Sequence, residues 1–379
     1  MDQDSRRSPG PGVLSRFAGG LAALAIVAAV GALLRVSGPA TVVTPAPAPE
    51  PEVVATETDG ASGGLPELRE PTGTTLWLTS DSSLTMFDVD EGVGRGVELD
   101  ELGTGDAPYR LVARGQTLVF RGDQQTYAQR AQLDAQPRLL GRSSYFLPSS
   151  HPRRVWLVTT RNPLTGRLAA VQEVNTAGTR TSAAVRPPRG GAPTMALDSG
   201  LVLLTPRGLQ VWDPTTGRDV PVSGQFTRTG EASSTLPGRF PVAATGNLLA
   251  WCRLHCLTLR LADLDTGERF VGAPAGTDGF GGSPGAFSPD GRWLALPVTT
   301  VEGRADSDIA LALVDVAAGT ASLVPGGGMS SERLVWSPSG DWVFFERQPG
   351  ELAAFRPGDS SARAIPVDVG EFDGLAATR

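Results

Sequence analysis

The phrase FSPDGRWLA, Phe287 to Ala295, returns as WSPSGDWVFF, Trp336 to Phe345, with its glycine moved on by 49 residues. In the first copy Pro289 suits the second position of a type I turn and Asp290 the third. Gly291 suits the left-handed position that follows, in a hairpin with a G1 bulge. Glycine alone takes that last position cheaply. Apolar runs stand on both sides, so each copy reads as a hairpin. Recurrence at this spacing restricts the chain to an array of similar units, none of which buries its apolar faces without its neighbours.

Weaker copies lie upstream: ARGQTLVF with Gly115, SHPRRVWLV around Arg154, LDSGLVLL with Gly200 and ATGNLLAW with Gly246. From Gly115 to Gly340 the turns are separated by 39, 46, 46, 45 and 49 residues, the range of four-stranded propeller blades. Between them runs a second mark, D-x-x-x-G, at Asp88 and Gly92, Asp213 and Gly217, Asp263 and Gly267, and Asp315 and Gly319. Each follows an alternating strand, as in LQVWDPTTG, so it marks the next hairpin of the unit. A unit then has four strands, and seven units are counted, with six or eight as neighbouring alternatives. The first lacks its innermost strand, while EFDGLAATR, Glu371 to Arg379, is surplus at the C-terminus. The expectation is an all-β, seven-bladed β-propeller in which that last run completes the first blade and removes an open sheet edge.

The phrases FSPDGRWLA and WSPSGDWVFF resemble the WD-like propeller repeat of the TolB type, in which S-P-D-G joins the first two strands of a blade. Residues 283–350 carry that resemblance; the remainder rests on periodicity. Trp212-Asp213 is a single WD match. Together with an apolar N-terminal run, a Pro-rich stretch and a cysteine pair in a middle blade, the chain is similar to membrane-anchored propeller proteins of high-GC actinobacteria. The resemblance brings no catalytic motif with it.

Phe17 to Leu34, FAGGLAALAIVAAVGALL, is uncharged over 18 residues, about 27 Å of helix and enough to span a hydrocarbon core. Three arginines precede it and Arg35 follows. The positive-inside rule therefore places residues 1–16 in the cytoplasm, a transmembrane helix over 17–36, and the rest outside. A cleaved signal peptide is the alternative, although no A-x-A site follows the run. Residues 37–73, rich in Pro, Ala, Thr and Glu, read as an extended tether. The propeller is expected over 74–379.

The chain carries a formal charge of −7, and the first 36 residues hold four arginines against two aspartates, which leaves −9 on the remainder. That argues against nucleic acid as a partner. All 33 basic residues are arginine, which excludes a P-loop lysine, a Schiff-base lysine and a Ser-Lys dyad. Cys252 and Cys256 in WCRLHC are the two cysteines. With His255 they would still need a fourth metal ligand, and outside the cytoplasm a closely spaced pair reads as a disulfide. His151 follows Ser149 and Ser150 in a turn without a nucleophile-elbow signature. Glu302, Asp306 and Asp308 lack the glycine and glutamate positions of an EF-hand loop. The repeated aspartates read as turn caps, and Trp77, Trp156, Trp251, Trp293, Trp336 and Trp342 as packing residues of the blades.

No catalytic residue, cofactor or metal is expected from these residues. The favoured reading is a single-pass cell-membrane protein with its propeller outside, a scaffold for an envelope protein or glycan. The alternative is a propeller hydrolase or lactonase acting on an envelope carbohydrate or small ester. The short glycine turns share one face of the ring. The longer connections, Gly224 to Pro241 and Thr299 to Asp308 joined by GTDGFGGSPG and GGGMSS, fall on the other. Binding residues concentrate in long loops on a rigid scaffold. Phe226, Arg228, Arg239, Glu302, Arg304 and Asp306 are therefore the candidate partner-binding residues.

Overall fold

The computed structural model describes residues 64–80, 82–99, 111–162, 167–205, 208–220, 239–253, 256–280, 284–301 and 309–379. The expected transmembrane helix and most of the tether lie outside them. Among the described residues, no helix is long and apolar enough to cross a membrane.

Blade 1 starts with β1 (Thr75–Ser80), β2 (Ser83–Asp88) and β3 (Val93–Glu98). Blade 2 is β4 (Leu111–Ala113), β5 (Thr117–Gly122), β6 (Gln125–Arg130) and β7 (Arg138–Arg142). Blade 3 is β8 (Tyr145–Pro148), β9 (Arg154–Asn162) and β10 (Arg167–Asn175). Blade 4 is β11 (Ala192–Leu197), β12 (Gly200–Thr205), β13 (Gly208–Asp213) and β14 (Arg218–Asp219). Blade 5 is β15 (Arg239–Thr245), β16 (Leu248–Arg253), β17 (Thr258–Asp263) and β18 (Gly267–Gly272). Blade 6 has a split first strand, β19 (Thr277–Phe280) and β20 (Ala286–Phe287), then β21 (Trp293–Thr300), β22 (Ile309–Asp315) and β23 (Thr320–Met329). Blade 7 is β24 (Leu334–Trp336), β25 (Val343–Gln348), β26 (Glu351–Phe355) and β27 (Arg363–Asp368), and the chain ends in β28 (Gly374–Thr378).

These strands form seven antiparallel sheets, and β28 pairs with β1 to head the order β28-β1-β2-β3. The C-terminal run thus supplies the missing innermost strand, as the sequence predicts. Its register sets Trp77 opposite Ala376 and Thr75 opposite Thr378. The Trp77 indole N–H donates to the Thr378 hydroxyl at 2.9 Å across a buried contact. First strands of successive blades adjoin, β24 against β28 and β28 against β4, so the ring closes at blade 1.

Seven apolar clusters lie one at each junction between blades. Strand alternation builds them. Leu76 and Leu78 point toward blade 7 and join Phe344 and Ile365, while Trp77 points the other way and joins Leu111, Leu118 and Phe120 of blade 2. Second strands such as TLWLTS and WLALPVTT are covered on both faces. They therefore read as continuous apolar runs, whereas the outer β3 is exposed along nearly all its length. The six tryptophans singled out in the sequence fall as expected, except that Trp342 sits one residue before β25.

Four details differ from the sequence reading. Blade 3 has three laddered strands; in place of a fourth, Val185 and Arg180 form isolated bridges to Val171 and Val174 of β10. Part of GTDGFGGSPG, expected as a connecting loop, is strand β19, and the glycines of GGGMSS extend β23. Gly279 of β19 pairs with Thr299 and Gly328 of β23 with Ala310 although glycine has low strand propensity, because the ladder supplies the hydrogen bonds, while Gly326 and Gly327 lie in a register shift of β23. The tether ends earlier than residue 73. Pro66 O accepts from Ala364 N at 2.9 Å and Leu68 N donates to Ala364 O at 2.8 Å, laying this segment beside β27. Leu65 and Leu68 pack on the junction clusters of blade 7. Glu70 meets Arg356 and Arg363 at 2.8 Å each. The Arg363 hydrogen bond, chief among these contacts, holds the Glu70 carboxyl below its usual range.

Candidate functional site

The face that carries the short turns is occupied by its own hydrogen bonds. Ser288 N donates to Trp293 O at 2.8 Å, Gly291 N to Ser288 O at 2.8 Å, and Trp293 N to the Ser288 hydroxyl at 2.9 Å. Ser337 repeats all three contacts at 2.7, 2.9 and 3.1 Å with Trp342 and Gly340. Gly291 and Gly340 have φ of 72° and 81°, the left-handed values that the turn chemistry predicts. The serine was the unread member of the phrase. Its buried hydroxyl accepts the amide five residues on, and in the first copy donates to Asp290 at 2.5 Å. That hydrogen bond holds the Asp290 carboxyl below its usual range.

The D-x-x-x-G aspartates cap turns, as expected. Asp88 accepts from the amides of Asp90 and Glu91, Asp263 from Asp265 and Thr266, and Asp315 from Ala318. Asp213 accepts from Thr215 N and from the Thr216 hydroxyl, and the latter bond holds its carboxyl low. Threonine hydroxyl bonding does the same at Asp263, through Thr266. Between blades 2 and 3 the Arg114 guanidinium donates to the carbonyls of Ser149 and His151. Burial pulls it down to about 10. Ser149 Oγ donates to Glu173 at 2.7 Å, and His151 Nδ1 accepts from Arg153 N at 3.3 Å. The serine and the imidazole are thus committed to separate partners, and no nucleophile–base pair is formed there.

Of the residues expected to bind a partner, Phe226, Arg228, Glu302, Arg304 and Asp306 lie outside the described residues, and Arg239 starts β15, at the end of blade 5 on the face opposite the short turns. The ends of β14 and β15, and of β21 and β22, open onto this face. So does the loop after β16, where Cys252 and Cys256 form a disulfide with Cα atoms 5.3 Å apart, both sulfurs set in the core between blades 5 and 6.

The described part of this face contains a polar cavity of about 260 Å³ that no sequence motif announces, lined by Ser80, Ser330, Ser331, Arg333, Glu346, Pro349, Glu371, Phe372 and Asp373. It sits at the seam where the ring closes. Arg333 immediately precedes β24 and Asp373 immediately precedes β28, so equivalent positions of adjoining inner strands bring them together. Arg333 Nη1 is 2.7 Å from Glu346 Oε2, and the Glu346 side chain is only 3% exposed. The Ser331 hydroxyl also donates to Glu346, and Gly350 N donates to its second oxygen at 3.4 Å. Arg333 Nε donates to Asp373 O at 3.3 Å, its Nη2 lies 3.8 Å from the Asp373 carboxylate, and its guanidinium covers the Phe372 ring at 5.5 Å. Asp373 N in turn donates to Thr79 O at 2.5 Å. A buried carboxylate with three donors has its charge compensated. The cavity is therefore preformed, with Glu346 at its base and Glu371 and Asp373 beside β28.

Two further cavities lie among the described residues. One, about 290 Å³, lies between blades 5 and 6 on the turn face with Leu248, Leu261, Arg269 and Arg292 in its wall. The other, about 520 Å³, lies at the β5–β6 turn of blade 2 beside Arg121, Gln125 and Arg142. Among the described residues no group of three His, Cys, Asp or Glu side chains is placed to hold a metal ion.

No protein-family model matches the chain, and no curated protein matches it. Solved structures do. TolB from Acinetobacter baumannii is 13% identical over 80% of this chain and 82% of its own, with a TM-score of 0.44. Apo AztD from Citrobacter koseri is 14% identical over 80% of this chain and 97% of its own, with a TM-score of 0.44. The dihydro-heme d1 dehydrogenase NirN, in complex with DHE, is 11% identical over 83% of this chain and 77% of its own, with a TM-score of 0.46.

Proposed function

We propose that this chain is a cell-membrane protein whose propeller acts outside the cytoplasm as a scaffold for an envelope protein, engaged on the face opposite the short turns. The preformed polar cavity at the ring seam is the observation that supports the reading most directly. It sits on that face, its Glu346 and Arg333 side chains are held before any ligand arrives, and a rigid site avoids ordering costs on binding. On the turn face, by contrast, the serines and aspartates of the turns are engaged in capping hydrogen bonds. The arginine bias around Phe17 to Leu34 supports an external propeller, and the disulfide accords with an oxidising compartment. Hydrolysis gains no support from the cavity, because its buried carboxylate is held by Arg333 and Ser331 rather than poised against a nucleophile.

In-cell photocross-linking tests the proposal, with the photoreactive residue placed in the full-length chain at Glu371 on the seam or at Thr215 on the turn face. A discrete adduct from the seam position and none from the turn position is the expected result. Adducts from the turn position alone would put the site on the wrong face. A reporter fused at Thr74 should be active only outside the cytoplasm, and activity inside would overturn the topology.

A further inference from the structure

The seam cavity has a charge pattern that restricts what enters it. Arg333 contributes one positive charge against Glu346, Glu371 and Asp373, so the lining is anionic even before the acidic character of the whole chain is considered. A phosphate, a carboxylate or an anionic glycan would meet repulsion there. A neutral sugar would look for an exposed aromatic face, but Phe372 is buried and already covered by Arg333. What the cavity offers is acceptor oxygen from three separate segments: the Ser80 hydroxyl at the end of β1, which shares a hydrogen bond with Ser83 Oγ at 2.6 Å and keeps a lone pair, the Ser330 hydroxyl between blades 6 and 7, and before β28 the carboxylates of Glu371 and of Asp373, the latter 3.8 Å from Arg333 and with acceptor capacity for a second cation. Acceptors spread in this way suit the three rotatable donors of an ammonium better than the planar fork of a guanidinium. Pro349 in the wall gives the aliphatic stem an apolar surface.

We propose that the seam cavity receives a lysine side chain of a protein partner, its ammonium held between Glu371, Asp373 and the Ser80 and Ser330 hydroxyls. This rests on the scaffold reading and names the anchor that reading lacks. The chain itself contains no lysine, so a second copy cannot supply one, and the occupant comes from another protein. Because blades 7 and 1 both line the cavity, an occupied site also bridges the closing seam, and binding stabilises the ring by mass action.

The test uses the full-length protein in detergent and Nα-acetyl-lysine amide as the probe, with its Nε-acetylated counterpart and N-acetylglucosamine alongside. Saturation-transfer NMR should show saturable binding of the lysine amide in the millimolar range, weakening as salt is raised, and a matching rise in melting temperature. The Nε-acetylated amide and the sugar should give neither. The double variant Glu371→Gln, Asp373→Asn should lose about tenfold or more in affinity, since two charge-assisted contacts are removed. Glu371→Gln alone, at an exposed position, should lose severalfold without touching the fold. Equal binding of the Nε-acetylated amide, undiminished binding in the Glu371→Gln variant, or preference for the sugar would overturn the assignment. A seam-face cross-link formed equally well by the double variant would sink the lysine anchor and leave the scaffold standing. Probe binding without any cross-linked partner would do the reverse.

Discussion

Thr378→Val probes the ring closure through a single buried hydrogen bond. Thr378 and Trp77 are 301 residues apart in the chain, and the indole N–H meets the hydroxyl at 2.9 Å where both residues are about 2% exposed or less. Valine keeps the shape and the strand propensity of threonine, so the variant removes the acceptor and little else. The indole N–H is then left inside a dry junction, at a cost of about 1–3 kcal/mol. For a domain of this size that corresponds to a fall of roughly 2–4 °C in Tm per kcal/mol. Guanidinium unfolding followed by circular dichroism would give the free energy directly, with an unchanged m-value as the sign that the denatured state is the same. Trp77→Phe removes the donor together with part of a large side chain. In the double variant nothing remains to be orphaned, so the two losses should fail to add by about 0.5 kcal/mol or more. Neutral behaviour of Thr378→Val, or simple additivity in the cycle, would falsify the pairing of β28 with β1.

Truncation after Asp373 is the coarser version: it strips β1 of its partner over five residue pairs, and cooperative unfolding should be lost or the protein should aggregate through the bared edge; an unaltered melt would contradict the closure. Replacing Cys252 and Cys256 by serine opens a bond of sequence separation 4, for which chain entropy gives about 2 kcal/mol. A thiol assay on the native protein should find no free cysteine, and reactive thiols would refute the bond. Gly291→Ala, at a φ of 72°, should cost about 1 kcal/mol through its backbone alone, and a stabilised variant would show that the turn relaxes. Asp213, Asp263 and Asp290 all have folded pKa values below the ordinary carboxylate value. Their contribution is therefore present above about pH 4 and is lost as pH falls through the lower folded values. Tm should drop between about pH 5 and pH 3, and Asp213→Asn with Asp263→Asn should flatten that slope; an identical slope would show that these caps carry no linkage.

The ring was legible in the sequence because its determinants are local and periodic. A type I turn with a left-handed residue demands glycine at one place, and D-x-x-x-G demands an oxygen and a glycine at a fixed distance; both recur whether or not the rest of the blade is alike. The same reasoning failed where glycine was abundant. Gly326 to Gly328 read as loop because no side chain argued for a strand, yet β23 runs through them, Gly328 paired with Ala310 of β22 and the two glycines before it in a register shift. Residues 64–70 read as tether because Pro, Glu and Gly dominate there, and the two leucines that seat them on blade 7 are too few to register as a pattern.

The seam cavity was hidden for a different reason. One of its members had a visible signal: Glu346 interrupts the apolar run VFF at an inward position, where a charge is carried only with a partner. The partner could not be read, because Arg333 and Asp373 are ordinary charged residues in ordinary turns, 40 positions apart. They meet only once β28 is assigned to blade 1. The closure was itself inferred from a strand count, so the step from count to site was open in principle: the residues immediately before two adjoining inner strands must face the same end of the channel. Applied to Arg333 and Asp373, that rule places an arginine beside an aspartate at the ring's joint. Sites built by topology in this way become visible from sequence in the order in which the topology is solved, the turns first, then the ring, and the seam last.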